Sequence, residues 1–161
     1  MPSLPAGLLA MFAAVAVQAA APTQAERNEA LVRAYFDEVW SGGRVDALDR
    51  LLAPDYVNHT PSFGHPPPGP EGLKPIVEAI RAAFPDLHYV IEDVIATPTH
   101  VVARVRMQGT QTGPLFGAPP TGRRIDVRQI NIERIEHGRI VEHWRVTDEL
   151  EMQRQLGLVP R

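Results

Sequence analysis

The chain has 161 residues, 44% hydrophobic and 22% charged, a composition that suits one globular domain with a substantial core. A formal charge of -3 gives no basic footprint for a nucleic-acid backbone, so neither DNA nor RNA is expected as a partner. With no cysteine there is no thiolate nucleophile, disulfide or thiolate-bound zinc, and carboxylates, His, Tyr and Asn must carry any chemistry.

Leu8 to Val17, LLAMFAAVAV, is an unbroken apolar run followed by an A-x-A-like site at Val17-Gln18-Ala19, although no Lys or Arg precedes it. Residues 1–19 therefore read as a signal peptide and 20–161 as one mature domain, periplasmic or secreted; without cleavage the chain would be cytoplasmic. The run is too short for a membrane span, which needs about 20 apolar residues. Thr23 and Glu26 form a capping-box pattern, and Leu31, Ala34, Tyr35 and Val39 then recur at helical spacing until Ser41-Gly42-Gly43. A short second helix is expected from Asp46 to Leu52, ended by Pro54. DYVNHT follows as a brief strand, and Pro61 to Gly72 as a Pro/Gly-rich loop. Leu73 to Phe84 places Ile76, Val77 and Ile80 on one helical face. The period then changes to two in LHYVIEDVIAT, HVVARVRMQGT, RIDVRQINIERI and RIVEHWRVTD, four strands of an antiparallel meander. Helices first and strands later argue an α+β fold.

GTQTGPLFGAPPTGR, Gly109 to Arg123, invites reading as a phosphate cradle. Its nearest match, GAPPTGRR, has Arg-Arg where Lys-Ser/Thr should stand, two prolines without N–H groups, and a strand rather than a helix after it. It is instead a long loop whose apolar tip, Leu115 and Phe116, caps a pocket, packs on another subunit or packs on itself.

A two-residue turn at His137-Gly138 would pair Glu136 with Arg139. Glu133, Asn131 and Gln129 would then lie opposite Glu142, Trp144 and Val146, with His143 and Arg145 on the other face; one bulge would swap these sets. Polar groups on a face due for burial suggest a pocket, because unpaired polar groups are costly there. Asp148 and His143 are the candidate proton carriers, with Asp148 also suited to cap the final helix. Asn58 and His59 sit where a strand end would present polar groups to a cavity, and Trp144 suits a pocket wall. The six histidines show no HExxH or other metal spacing, so no metal is expected.

YFDEVWSGGRVDALDRLLAPDYVNH, GPEGLKPIVEAIRAAFPDLHYVIED, the loop above and GRIVEHWRVTD together resemble the SnoaL-like polyketide cyclase and ester cyclase group of the NTF2-like superfamily. The resemblance covers Asn28 to about Gly157. It implies a cone, about three N-terminal helices on a curved, mainly antiparallel sheet, with a deep apolar pocket and dimerisation through the sheet. Cyclases of this group close a ring by intramolecular aldol condensation with one acidic residue as acid/base and no metal or cofactor. Carried over, the acid/base role falls to Asp148, then His143; Asn58, His59, Gln129 and Asn131 become pocket polar groups and Phe116 part of a lid. The implied function is proton transfer next to a carbonyl of a small apolar substrate, as a cyclase or isomerase of the lyase/isomerase class, in a homodimer. The alternative is a non-catalytic exported protein that binds a hydrophobic metabolite. Tyr56-Val57-Asn58 is also similar to the Tyr-x-Asn of limonene-type epoxide hydrolases, but Arg104-Val105-Arg106 lacks the carboxylate expected of the partner motif.

Overall fold

The computed structural model describes residues 20–115 and 117–160, so residues 1–19, expected to be a signal peptide, and Phe116 lie outside the described residues. Thr23 opens helix α1 (Gln24–Ala34) with both arms of the capping box, its hydroxyl accepting from the Glu26 N–H while the Glu26 carboxylate accepts from the Thr23 N–H. Buried Asn28 ties this helix to the sheet by donating to the carbonyls of Thr97 and Pro98, 3.0 Å each. The helix continues with π-helical pairing through Tyr35–Ser41, which buries Tyr35, Phe36, Val39 and Trp40. Gly43, at φ 72, turns the chain, and Arg81 satisfies two of the carbonyls left at the helix end, those of Trp40 at 2.7 Å and Ser41 at 2.9 Å.

The expected second helix is shorter than its apolar pattern suggested. A 3-10 turn (Val45–Ala47) leads into α2 (Leu48–Leu51), and the chain is already extended in β1 (Leu52–Asn58). Pro54 therefore sits inside a strand. It is tolerated because β1 is an edge strand whose pairing is interrupted between Leu52 and Val57. Helix α3 (Pro70–Ala83) begins on a proline, which suits a first turn, and buries Leu73, Ile76, Val77 and Ile80.

The remaining strands are β2 (His88–Ala96), β3 (His100–Thr110), β4 (Arg124–Glu136) and β5 (Arg139–Thr147), followed by α4 (Glu149–Leu156). They pair in the order β1-β5-β4-β3-β2, antiparallel except for β1, which runs parallel to β5. The result is an α+β fold, with four α-helices on a five-stranded mixed sheet among the described residues. Val101, Ala103 and Val105 of β3 and Ile125 and Val127 of β4 face the helices and are wholly buried. The other face leaves Ile95, Ile130, Ile132 and Val146 exposed.

Two side-chain amides complete this frame. Where β5 ends, Gln155 of α4 bonds both the N–H and the carbonyl of Asp126 and so replaces the missing ladder. Fully buried Gln111 accepts from the backbone and hydroxyl of Thr121 and donates to the carbonyls of Gly113 and Pro119. It thereby fixes the long loop after β3. That loop also donates two N–H groups to the Ala83 carbonyl, and buried Leu115 covers the inside of the sheet. No described helix is long and apolar enough to cross a membrane.

Candidate active site

The inner face of β4 reads Ile125, Val127, Gln129, Asn131, Glu133, Ile135, every one buried, so three polar side chains interrupt an apolar row at its middle. Their cross-strand partners depend on the last hairpin. His137 (φ 49) and Gly138 (φ 73) form the two-residue turn, and Glu136 does pair with Arg139. Beyond Ile135 and Ile140, however, the register shifts at Val141. That bulge exchanges the faces of β5 relative to a strict alternation. His143 pairs with Glu133, Arg145 with Asn131 and Thr147 with Gln129 on the inner face, while Trp144 and Val146 turn outward.

His143, 5% exposed, places Nδ1 2.8 Å from Oε1 of Glu133, which is completely buried. Burial pushes the Glu133 carboxyl above its ordinary value, and the neighbouring His143 then pulls it back in part. Its second oxygen, Oε2, has no hydrogen-bond partner among the described residues, and neither has Asn131 Nδ2. Tyr35, from the π-helical segment, and Tyr56, from β1, lie close to Glu133; both phenols are pushed up, first by burial. The arrangement is a carboxyl group and an imidazole in hydrogen-bond contact and screened from water.

One rung away along the strands, roughly 7 Å, Arg145 begins the lining of a cavity of about 160 Å³. Trp40, Ile80, Phe84, Met107 and Leu115 give it apolar walls, and Gln129, Arg145 and Thr147 a polar floor. Tyr89 stands beside Gln129 and packs on Trp40 at 5.9 Å between ring centroids; burial raises its phenol to about 12. Glu149 and Gln153 of α4 lie at the rim. Among the described residues, no group of three or more His, Asp or Glu side chains is placed to hold a metal ion.

The candidates named from sequence therefore separate. His143, Gln129 and Asn131 come together on the inner face. Asp148 is exposed, and its carboxylate accepts the Glu151 N–H at 3.1 Å as the N-cap of α4. Asn58 is half-buried and closes a local turn by accepting the Thr60 N–H at 2.9 Å. His59 is exposed and stacks on Trp144 at 4.6 Å, on the side of the sheet away from the cavity. Phe116 lies outside the described residues. His143, Arg145 and Thr147 reach the inner face only through the bulge, and Tyr35 and Trp40 look like ordinary core aromatics in the sequence. The signal for Glu133 was present in the buried parity it shares with Gln129 and Asn131.

A family model described as SnoaL-like polyketide cyclase matches residues 30–156. The chain is 33% identical over 116 residues to the nogalonic acid methyl ester cyclase of Streptomyces nogalater, covering 71% of this chain and 87% of that one. It is 31% identical over 126 residues to the aklanonic acid methyl ester cyclase DnrD of Streptomyces peucetius, covering 74% of this chain and 84% of that one. Among solved structures, TsrD from Streptomyces laurentii superposes with a TM-score of 0.75 at 30% identity, covering 83% of this chain and 96% of its own. IdmH from Streptomyces antibioticus does so with a TM-score of 0.70 at 33% identity, covering 81% and 98%.

Proposed function

This chain belongs to the SnoaL-like polyketide cyclase family, and on that premise we propose that His143 and Glu133 form the proton-transfer pair of a cofactor-independent cyclase or isomerase. In this reading the imidazole, steadied by Glu133, takes a proton from a carbon next to a carbonyl. The enolate carbon then forms a bond to a second carbonyl carbon of the same molecule, and the resulting alkoxide takes the proton back from the imidazolium; in an isomerisation the proton returns to a different carbon. Little else is asked of the protein beyond positioning and exclusion of water. The apolar walls of the cavity and its polar floor support that division of labour.

The observation that carries the reading is the 2.8 Å contact between two buried side chains, an imidazole and a carboxyl, on the inner face one rung from the cavity. The relatives' names supply the first probes, nogalonic acid methyl ester and aklanonic acid methyl ester, alongside smaller ketones. With a probe that it binds, in heavy water, the wild-type protein is expected to wash deuterium into the carbon next to the carbonyl, and His143→Gln to lose that exchange while remaining folded. Exchange that persists in His143→Gln overturns the assignment.

The outer face of the sheet supports a homodimer in the same reading. Ile130 and Val146 are directly paired, Ile132 pairs with Trp144, and Ile130, Ile132 and Val146 are exposed. A second copy would cover this apolar band.

A further inference from the structure

Arg145 differs from three arginines on the outer face of the sheet. Arg104, Arg106 and Arg134 each pair with a carboxylate, Glu92, Asp126 and Glu142 respectively. Arg145 lies half-buried on the inner face and lines the cavity. Its one side-chain hydrogen bond among the described residues runs from Nη2 to Ser62 Oγ at 3.0 Å, and no carboxylate pairs with it there. Two further polar groups around it lack partners among the described residues, the buried Thr147 hydroxyl in the cavity floor and the Nδ2 of Asn131, directly across the ladder. Gln129, also in the floor, turns its Nε2 to nothing better than Met107 sulfur at 3.6 Å and stands beside the Tyr89 hydroxyl.

These groups share one property. Guanidinium and amide nitrogens can only donate and the Thr147 hydroxyl can donate, yet among the described residues Arg145 has one neutral side-chain acceptor, the Ser62 hydroxyl, and the Thr147 hydroxyl and Asn131 Nδ2 have none. Buried donors without acceptors are costly, and a planar guanidinium matches the two oxygens of a carboxylate. The carboxylate at the rim, Glu149, makes no ion pair with Arg145 among the described residues, and the buried Glu133 on the next rung feels the charge of Arg145 without an ion-pair contact to it. The cavity, about 160 Å³ and partly open at its rim, has room for a single ring against its walls.

We propose that Arg145, with Thr147, is an anion anchor, and that the cavity takes a carbonyl compound bearing a free carboxylate rather than its ester. The proposal rests on the reading of this cavity as the substrate site, but it concerns recognition and is read by binding alone. The substrate enters carboxylate first onto Arg145, which leaves its carbonyl end against the apolar walls.

The test compares 4-acetylbenzoate with methyl 4-acetylbenzoate, measured by titration calorimetry on the wild-type protein, Arg145→Met and Arg145→Lys. A charge-assisted contact makes the acid bind at least about tenfold more tightly than the ester to wild-type protein. Arg145→Met abolishes that preference without weakening ester binding. Arg145→Lys keeps part of it, because the charge remains while the two-pronged geometry is lost. Circular dichroism and urea unfolding establish that both variants are folded. The proposal is overturned if the ester binds as well as the acid, if the acid does not bind, or if Arg145→Met keeps the preference. Failure of the proton-transfer reading has a different signature, exchange that persists in His143→Gln, and leaves these affinities unchanged.

Discussion

Replacing Glu133 by Gln keeps the side chain's shape and one acceptor oxygen for the proton on His143 Nδ1, but removes the carboxylate. A hydrogen bond to a charged acceptor is worth about 1.5–3 kcal/mol, against about 0.5–1.5 kcal/mol for a neutral one, so the imidazolium formed in the reaction loses about 1–1.5 kcal/mol of support. At about 1.4 kcal/mol per factor of ten, deuterium exchange by Glu133→Gln falls roughly tenfold, with substrate affinity little changed. Stability moves the other way. Burial lifts the folded-state carboxyl above the 4.5 of an ordinary Glu, so between those values the folded chain holds a proton that the unfolded chain has released. Wild-type stability therefore declines as pH climbs through that window, and below it the penalty is absent. Gln has no proton to hold, so the variant lacks this part of the decline. Urea unfolding over a pH series, run beside the exchange assay, measures both effects. A variant with unchanged exchange, or one whose stability declines with pH as steeply as that of the parent, refutes the reasoning about this pair.

Asp148→Ala removes the cap on the Glu151 N–H and costs about 1 kcal/mol in thermal unfolding, while deuterium exchange is retained. Lost exchange with intact stability would return the acid/base role to Asp148. Gln111→Ala takes away the four hydrogen bonds that fix the loop, and urea unfolding should register a loss of about 2–4 kcal/mol; a change below about 0.5 kcal/mol means that the loop does not depend on this side chain. Ile130→Glu combined with Val146→Lys places charges in the outer apolar band, and sedimentation velocity should then find monomer where the parent sediments as dimer. An unchanged sedimentation coefficient excludes that face as the contact.

Much of the architecture could be read from local pattern because each element announces itself within a few residues. The Thr23–Glu26 box, the α3 face through Ile76, Val77 and Ile80, the alternation of β3 and the His137-Gly138 turn are all short-range signals. What escaped was non-local. The parallel docking of β1 on β5 joins Leu52 to Ile140 and Asn58 to His143, and no periodicity within either segment encodes it. The early end of α2 has the same origin, since Leu52 is drawn into the sheet although its side chain fits the helical pattern. Asp148 was ambiguous for a different reason. A carboxylate before a helix serves as a cap whether or not it serves in catalysis, and only its exposure separates the two roles here.

The candidate site turned on one residue, Val141, and charge pairing gives a physical account of why the strand bulges there. Without the bulge, strict pairing from Glu136 and Arg139 would set Glu133 against Glu142, two carboxylates directly opposed, one of them in a buried row. It would also turn Trp144 inward against Asn131. Like charges placed opposite each other across a ladder are destabilising. Inserting one extra residue at Val141 resolves both conflicts together. Glu142 moves opposite Arg134 and binds it through two hydrogen bonds of 2.9 and 3.0 Å, and Glu133 receives His143 at 2.8 Å. The same shift carries Arg145 and Thr147 from the outer face to the cavity floor. A bulge that improves the electrostatics on both faces of the sheet is thus also the step that assembles the proposed proton-transfer pair and the proposed anion anchor.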